Sequence, residues 1–343
     1  MEHTLIVSAS DDKTIRVWKN PKKLFVFEKV GSLRPILEVL KFLSFQEVVG
    51  ISRVNKRFYQ ACFHQEIQKP EFRQAKVLAG HTDKVRSLAI SPNRDRIVSG
   101  GYDNTIRVWS LATGKVTQLL KCNTRGVSSV AISDEAAVVV SGNGDKTLRV
   151  WDLVSGQQKS VLSGHTAVVT SVAISNNSEF LVSASSDTTV IVWSLTTAEK
   201  IKAFKGHIAC VNSVAISRSD LYVVSGSDDR TLKVWSLNSA DQIRFVGQHI
   251  IGVCSVAISN DEKLVVSACY DFTIRVWSLA SGETAQVLRG HSGHIPSISL
   301  SSDDRYLVSS GEDRSIRVWD LATGEQVQEL RGHTNSVHSV SII

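Results

Sequence analysis

The sequence predicts an all-β fold: a closed ring of seven four-stranded blades, a β-propeller, with a small α-helical insertion in the blade shared by the two termini. The first observation is tryptophan spacing, because six of the seven tryptophans recur every 42 residues from Trp109 to Trp319. A period of about 40–45 residues is typical of propeller blades. The second is that the intervening apolar segments, such as 127–132, are short, β-branched and bounded by Gly, Asp and Ser. Both patterns indicate strands rather than helices.

A histidine, a serine and an aspartate recur with the same period as tryptophan. Six blades therefore each contain a set of one His, one Ser, one Asp and one Trp. In one of these blades, the last part of the chain supplies the His and the first part supplies the other three residues. In the order His, Ser, Asp and Trp, the sets are His333, Ser8, Asp12 and Trp18; His81, Ser99, Asp103 and Trp109; His165, Ser183, Asp187 and Trp193; His207, Ser225, Asp229 and Trp235; His249, Ser267, Asp271 and Trp277; and His291, Ser309, Asp313 and Trp319.

These repeats resemble the WD-repeat family, and the resemblance covers about six-sevenths of the chain. It implies that His, Ser, Asp and Trp of one blade form a hydrogen-bonded chain that fixes the turns to the third strand. The blade that contains Trp151 departs from the pattern, because Cys122-Asn123 stands where Gly-His is expected. We expect a weaker network there, with the Asn123 amide partly replacing the imidazole.

A set of Ser, His and Asp is also the catalytic arrangement of many hydrolases. A catalytic triad occurs once in each site, whereas this set recurs around the ring, so we interpret it as structural. The five cysteines show no Cys-x-x-Cys pair and no zinc-binding spacing. The sequence thus predicts no enzyme activity, no cofactor and no metal site.

The seventh tryptophan, Trp18, lies 91 residues before Trp109, which is 49 residues more than one repeat. In repeat register, the blade of Trp18 takes its innermost strand from residues 337–342 and its next two strands from 5–9 and 14–18. This arrangement would remove free edges from the ring. It predicts that His333 lies beside Ser8, Asp12 and Trp18.

The extra residues divide the chain into three parts. Residues 1–18 form the first part of the closing blade, 19–73 an insertion, and 74–343 the remainder of the propeller. Two segments compete for the outer strand of the closing blade: 74–78, which fits the repeat register, and 24–27.

The insertion has a helical pattern. Ile36, Leu37, Leu40 and Leu43 are spaced as on one face of a helix. Further on, Ser44 and Glu47 form a capping box. We predict two or three short amphipathic helices between about residues 32 and 68. Residues 19–75 also contain 11 Lys and Arg against 5 Asp and Glu, which accounts for the whole net charge of +6.

Residues 42–48 and 52–59 of the insertion resemble an F-box, a helical module that docks the Skp-type adaptor of cullin-RING ubiquitin ligases. Gly31-Ser32 stands where that family usually has Leu-Pro. The alternative is a helical insertion that packs on the ring or binds an unrelated partner. The resemblance implies that the adaptor would contact Leu37, Leu40, Phe42, Leu43, Phe45, Val48, Val54 and Phe58.

Propellers generally bind partners on the face formed by the loops between blades and the turns before each third strand. Exposed Tyr and Arg are favoured anchors at such interfaces. The residues predicted to lie on this face are Lys84, Arg86, Tyr102, Arg125, Asp228, Tyr270, His294, Glu312 and His338.

The sequence therefore predicts a protein-interaction scaffold that binds other proteins or peptides. The leading hypothesis is the substrate-receptor subunit of an SCF-type ubiquitin ligase, with a Skp-type adaptor as one partner. The alternative is a general WD-repeat scaffold or assembly protein with no ubiquitin role. No apolar run reaches the roughly 18 residues of a membrane helix. We expect no membrane and no nucleic-acid partner, and a cytoplasmic or nuclear location.

Overall fold

The computed structural model describes residues 4–20, 71–133, 135, 137–238 and 242–343, and all regular elements in these ranges are β-strands. The predicted helices between residues 32 and 68, the competing strand 24–27 and every predicted adaptor contact lie outside the described residues. The strands are β1 (Leu5–Ser10), β2 (Thr14–Lys19), β3 (Arg73–Ala79), β4 (Val85–Ile90), β5 (Arg96–Gly101), β6 (Thr105–Ser110), β7 (Val116–Lys121), β8 (Val127–Ser133), β9 (Val138–Asn143), β10 (Leu148–Asp152), β11 (Gln158–Leu162), β12 (Val169–Ile174), β13 (Phe180–Ser185), β14 (Val190–Ser194), β15 (Lys200–Phe204), β16 (Val211–Ile216), β17 (Tyr222–Ser227), β18 (Thr231–Ser236), β19 (Gln242–Gln248), β20 (Val253–Ile258), β21 (Leu264–Cys269), β22 (Thr273–Ser278), β23 (Thr284–Arg289), β24 (Ser297–Leu300), β25 (Tyr306–Ser310), β26 (Ser315–Asp320), β27 (Gln326–Arg331) and β28 (Val337–Ile342).

The strands form seven antiparallel four-stranded sheets, so the prediction of an all-β, seven-bladed propeller is confirmed. Blades 1 to 6 each use four consecutive strands: β4–β7, β8–β11, β12–β15, β16–β19, β20–β23 and β24–β27. The seventh, here called the terminal blade, has the strand order β28-β1-β2-β3. Among the described residues, no helix is both long and apolar enough to cross a membrane.

Burial along each blade explains why these sequences form strands in these positions. The second strand of blade 3, Phe180–Ser185, is buried at five consecutive residues, because both of its faces pack against other blades. The fourth strand of blade 2, Gln158–Leu162, is mostly exposed and buries only its last residue. The core therefore lies between blades: Leu148 of blade 2, for example, shares a cluster with Leu181 and Trp193 of blade 3.

The terminal blade combines the first and last strands that the structure describes. Strand β1 pairs with β28 in the register Ser8 to Val340, and with β2 on its other edge. Strand β3 pairs with β2, so the outer strand is the predicted segment 74–78, extended by one residue at each end. Just before β3, the Gln328 side chain bonds to both the backbone N–H and the C=O of Phe72, at 2.7 and 2.8 Å.

The His333 ring joins the two ends of the chain within this blade. Its Nε2 lies 2.9 Å from Ser8 Oγ and its Nδ1 lies 2.8 Å from an Asp12 carboxylate oxygen. Trp18 Nε1 donates to the same Ser8 oxygen at 3.1 Å. The structure thus places His333 beside the three residues that the repeat register assigns to it.

A second periodic serine links neighbouring blades. In each inner strand, one serine hydroxyl oxygen accepts a hydrogen bond from a backbone N–H of the next inner strand, at 3.0 to 3.3 Å. There is one such bond for each of the seven neighbouring pairs, including those that flank β28. The acceptors are Ser87, Ser129, Ser171, Ser213, Ser255, Ser297 and Ser339.

We predict that His333→Ala destabilises the protein by roughly 2–3 kcal/mol, because it removes two buried hydrogen bonds, one to Ser8 and one to Asp12. Urea unfolding followed by tryptophan fluorescence measures this change. Thr334→Ala is the matched control, since that side chain is exposed in the same loop. Equal stability of His333→Ala and the control would contradict the role given to His333.

Candidate functional site

The histidine, serine, aspartate and tryptophan columns meet within single blades. In blade 1, His81 Nδ1 lies 2.8 Å from Asp103, and its Nε2 lies 2.8 Å from Ser99 Oγ, which accepts the indole N–H of Trp109 at 2.8 Å. Blades 3, 4 and 6 repeat this geometry, with His–Asp distances of 2.7 to 2.9 Å. The sets are His165, Ser183, Asp187 and Trp193; His207, Ser225, Asp229 and Trp235; and His291, Ser309, Asp313 and Trp319.

Electrostatics shows what each of these chains does. Burial alone would raise the pKa of Asp187, but hydrogen bonds from Thr189, the Thr166 backbone and His165 hold that pKa below its ordinary value. Burial lowers the pKa of His165, although its bond to Asp187 opposes the shift. A neutral imidazole therefore bridges an ionised carboxylate and a serine. This arrangement is buried and recurs around the ring, so it fixes loops and offers no single catalytic centre.

Blade 2 differs from the expectation based on its sequence. Asn123 has a left-handed backbone (φ of 48°) and an exposed side chain, so its amide does not replace an imidazole. The buried thiol of Cys122 contacts Ser141 instead. Asp145, which has no histidine partner, forms an ion pair with Arg149 at 3.1 Å.

Blade 5 also departs from the repeat. His249 Nε2 and Trp277 Nε1 both lie 2.7 Å from Ser267 Oγ. The buried Nδ1 of His249, however, has no hydrogen-bond partner, so its predicted link to Asp271 is missing. Two local departures accompany this loss: Gln248 stands where the neighbouring blade has the glycine that precedes His207, and β19 carries an extra register shift.

The candidate binding surface is the upper face, defined as the end of the ring where fourth-to-first-strand loops and second-to-third-strand turns meet. A cavity of about 380 Å³ opens there at the mouth of the central channel. Six of the nine predicted face residues line it: Arg86, Tyr102, Tyr270, His294, Glu312 and His338. Lys84, Arg125 and Asp228 are exposed near this end but do not line the cavity.

One side of the cavity is a charged network. The Lys84 ammonium lies 3.0 Å from the Asp11 carboxylate, and His338 Nε2 lies 2.7 Å from the other oxygen of that group. Arg86 donates to His338 Nδ1 at 3.0 Å and lies 5.3 Å from the centre of the Tyr102 ring. Because these charges are mutually paired, they hold Tyr102 and Arg86 in place at the rim.

The other side of the cavity is aromatic. The His294 ring lies between Tyr270, in edge contact at 5.0 Å, and Phe272, stacked at 5.4 Å. His294 also lies 3.7 Å from the Glu312 carboxylate. Phe272 has a left-handed backbone (φ of 66°), an uncommon conformation for a bulky residue. The sequence prediction included the other three residues but missed Phe272.

Exposed isoleucines extend the upper face beyond the cavity, and the sequence prediction missed them too. Ile208 is 87% exposed and Ile250 is 71% exposed, in the loops that lead into blades 4 and 5. Each directly follows the column histidine, a position that holds Thr or Ser in the other blades that have this histidine. The isoleucine in place of threonine or serine is the feature of the sequence that could have indicated this exposed surface. Val168, Ile251 and Phe272 are also more than a third exposed.

The fold, the periodic hydrogen-bonded chains and the polar channel mouth define a propeller of the type that is typically non-catalytic. The chain belongs to the WD40 family, described as WD domain, G-beta repeat. The family model matches residues 2–19, 72–110, 114–152, 156–194, 198–236, 241–278 and 282–320.

Among curated proteins, short segments of the chain are similar to two kinds of relative. The ribosome biogenesis protein BOP1 homolog of Drosophila grimshawi is 43% identical over 47 residues, which are 14% of this chain and 6% of the relative. The pre-mRNA-splicing factor prp46 of Aspergillus fumigatus is 47% identical over 45 residues, which are 13% of this chain and 10% of the relative. The matched segment thus spans a tenth or less of each relative.

We predict that acid destabilises the fold between pH 7 and pH 4. Burial and the nearby Arg86 together lower the pKa of His338 to about 4, so the ring stays neutral in the folded protein while the unfolded chain protonates below about 6.5. The stability from this shift is complete above pH 6.5 and is lost as pH falls towards 4, by up to roughly 3 kcal/mol. Urea unfolding midpoints at pH 7.5 and 4.5 measure the loss.

In that experiment, His338→Gln should reduce the loss between the two pH values. His294→Gln, a change in a less buried histidine on the same face, is the control. A urea midpoint that stays constant or rises on acidification would contradict the prediction.

Proposed function

We propose that the protein is a non-catalytic scaffold that binds other proteins or peptides through the upper face. The observation that carries the proposal is the exposure of Ile208 and Ile250 in neighbouring loops. At a position where other blades have threonine, an exposed isoleucine adds nothing to the stability of the isolated fold, whereas exposed apolar surface of this kind is typical of interaction sites. The proposal takes the ring to be closed by the pairing of β28 with β1.

The aromatic side of the cavity supports the same surface. Tyr270 and Phe272 are held against His294, so a partner that contacts them would need to order few side chains on binding. Phe272 has the left-handed backbone that this turn requires, as Asn104 and Arg314 do in their blades. The left-handed residue is thus a feature of the repeated turn, and in blade 5 it places an aromatic ring beside His294.

The relatives support an assembly role for this scaffold. Their names refer to ribosome biogenesis and to pre-mRNA splicing. Under this proposal, the protein is an assembly factor with no ubiquitin role, and it acts in the cytoplasm or the nucleus.

We predict that the double variant Ile208→Asp, Ile250→Asp lowers the amount of co-purified protein by at least about tenfold, because charges replace the apolar contact surface. Quantitative affinity purification of the full chain, with mass spectrometry, measures each co-purified protein. Val154→Asp is the matched control, since Val154 is 80% exposed in a third-to-fourth-strand turn at the opposite end of the ring. An unchanged protein set in the double variant would contradict the proposal.

A second candidate function is the substrate receptor of an SCF-type ubiquitin ligase. Residues 42–48 and 52–59, which resemble an F-box, favour this function. They belong to the same chain as the propeller, which would bind the substrate. Under this hypothesis, the full chain captures a purified Skp-type adaptor, and Leu43→Asp or Phe58→Asp abolishes capture. The double variant at Ile208 and Ile250 should still capture it. Absence of adaptor binding by the unmodified protein would end this hypothesis.

A further inference from the structure

Blade 5 gathers three metal-binding groups at the point where its histidine has lost its usual partner. One nitrogen of His249, the sulfur of Cys269 and a carboxylate oxygen of Asp271 all lie within 4.8 Å of one another. His249 is 2% exposed and Cys269 is fully buried, whereas Asp271 is partly exposed at the upper face. The sequence predicts no metal site, because its cysteines show no metal-binding spacing.

The state of His249 is the second, independent observation. Its Nδ1 is buried without a hydrogen-bond partner. In blades 3 and 4 the equivalent atom lies 2.9 and 2.7 Å from an aspartate. A buried polar atom without a partner costs free energy of folding, so an ion bound at Nδ1 would recover the cost of desolvating that nitrogen. Such orphaned atoms often mark the place of an ion or water.

The tautomer of His249 can suit a metal ligand. If Nε2–H donates to Ser267 Oγ, which lies 2.7 Å away, Nδ1 carries a free lone pair. Ser267 has lone pairs for both this donor and the Trp277 indole. The structural serine and tryptophan would then orient the ligand from the outer shell.

Asp271 also has an oxygen to offer. One of its carboxylate oxygens is held by the backbone and hydroxyl of Thr273, at 3.0 and 2.5 Å. The other lies 3.7 Å from Arg275, a long ion pair. In blades 3 and 4 this second oxygen accepts both an imidazole and a backbone N–H. The positive charge of Arg275 opposes a cation here and should limit its affinity.

We propose that His249, Cys269 and Asp271 bind one zinc ion through imidazole, thiolate and carboxylate ligands. This mixture of nitrogen, sulfur and oxygen donors suits Zn²⁺, and water would supply the fourth ligand that a three-residue site leaves open. Binding displaces the thiol proton of Cys269 to solvent as the Zn–S bond forms. The donor atoms must also draw together to about 3.5 Å, the spacing around tetrahedral zinc. The Cys269 thiol would then leave the carbonyl oxygens of Ile251 and Gly252, to which it now donates at 3.3 and 3.2 Å.

Cobalt(II) is the probe, because it occupies zinc sites and reports thiolate coordination by a charge-transfer band in the near ultraviolet. The full chain should bind one Co²⁺ with this band, and Zn²⁺ should displace it. Cys269→Ser should abolish the band and weaken Zn²⁺ binding by at least about tenfold. The fold should tolerate this change, because serine stands at the same repeat position in Ser10, Ser185 and Ser227.

Cys254→Ser, in the same blade but outside the cluster, is the control and should keep the band. A thermal-unfolding series with added Zn²⁺ gives a second readout: the melting temperature should rise in the unmodified protein and in Cys254→Ser, but not in Cys269→Ser. Absence of a thiolate band in the unmodified protein, or its persistence in Cys269→Ser, would overturn the proposal. Either result leaves the scaffold function unaffected.

Discussion

The buried hydrogen bonds from tryptophan through serine to histidine are the interaction on which the rest of the structure depends. In blade 1, Ser99 receives the Trp109 indole from the third strand and the His81 ring from the loop before the first strand. One hydroxyl therefore fixes the second strand, the third strand and the incoming loop relative to one another. The turn aspartate completes the chain and holds the backbone after the histidine, as at Thr82. The side chains of the upper face stand on the loops and turns that these bonds fix.

A blade held in this way still cannot bury its apolar faces alone. Leu148 and Val150 of blade 2 pack with Leu181 and Trp193 of blade 3, so each blade completes the core of the next. The inner-strand serines add a polar link at every blade boundary; Leu88 of blade 1, for example, donates its backbone N–H to Ser339 of the terminal blade. This constraint makes the terminal blade as important as the other six, although its strands come from distant parts of the chain.

Much of the fold could be predicted from the sequence because its signals are periodic. The tryptophan spacing gives the number of blades, and the register alone assigns Ser8 and His333 to one blade. Departures from the period were harder to interpret. Asn123 occupies the histidine column, yet a left-handed backbone turns it outwards and leaves Cys122 inside. The missing bond of His249 accompanies an extra register shift in β19, which no single residue type reveals.

The candidate site was less predictable than the fold, because a binding surface depends on which side chains remain exposed. Tyr102 and Tyr270 were identified from their position before the turn aspartate. Ile208 and Ile250 were not, since apolar residues in a β-rich sequence are ordinarily assigned to the core. The contrast with threonine and serine in the other blades is visible in the sequence, but it indicates a binding surface only because the structure exposes both isoleucines to solvent.

Hydrogen exchange of the full chain, followed by mass spectrometry, tests the central claim of a ring completed by both ends of the chain most directly. Strand β28 (Val337–Ile342) pairs with β1 as the equivalent inner strand β12 (Val169–Ile174) pairs with β13, so the amides of β28 should exchange as slowly as those of β12. Exchange of β28 and β1 within seconds, while β12 remains protected, would show a frayed terminus and contradict the account.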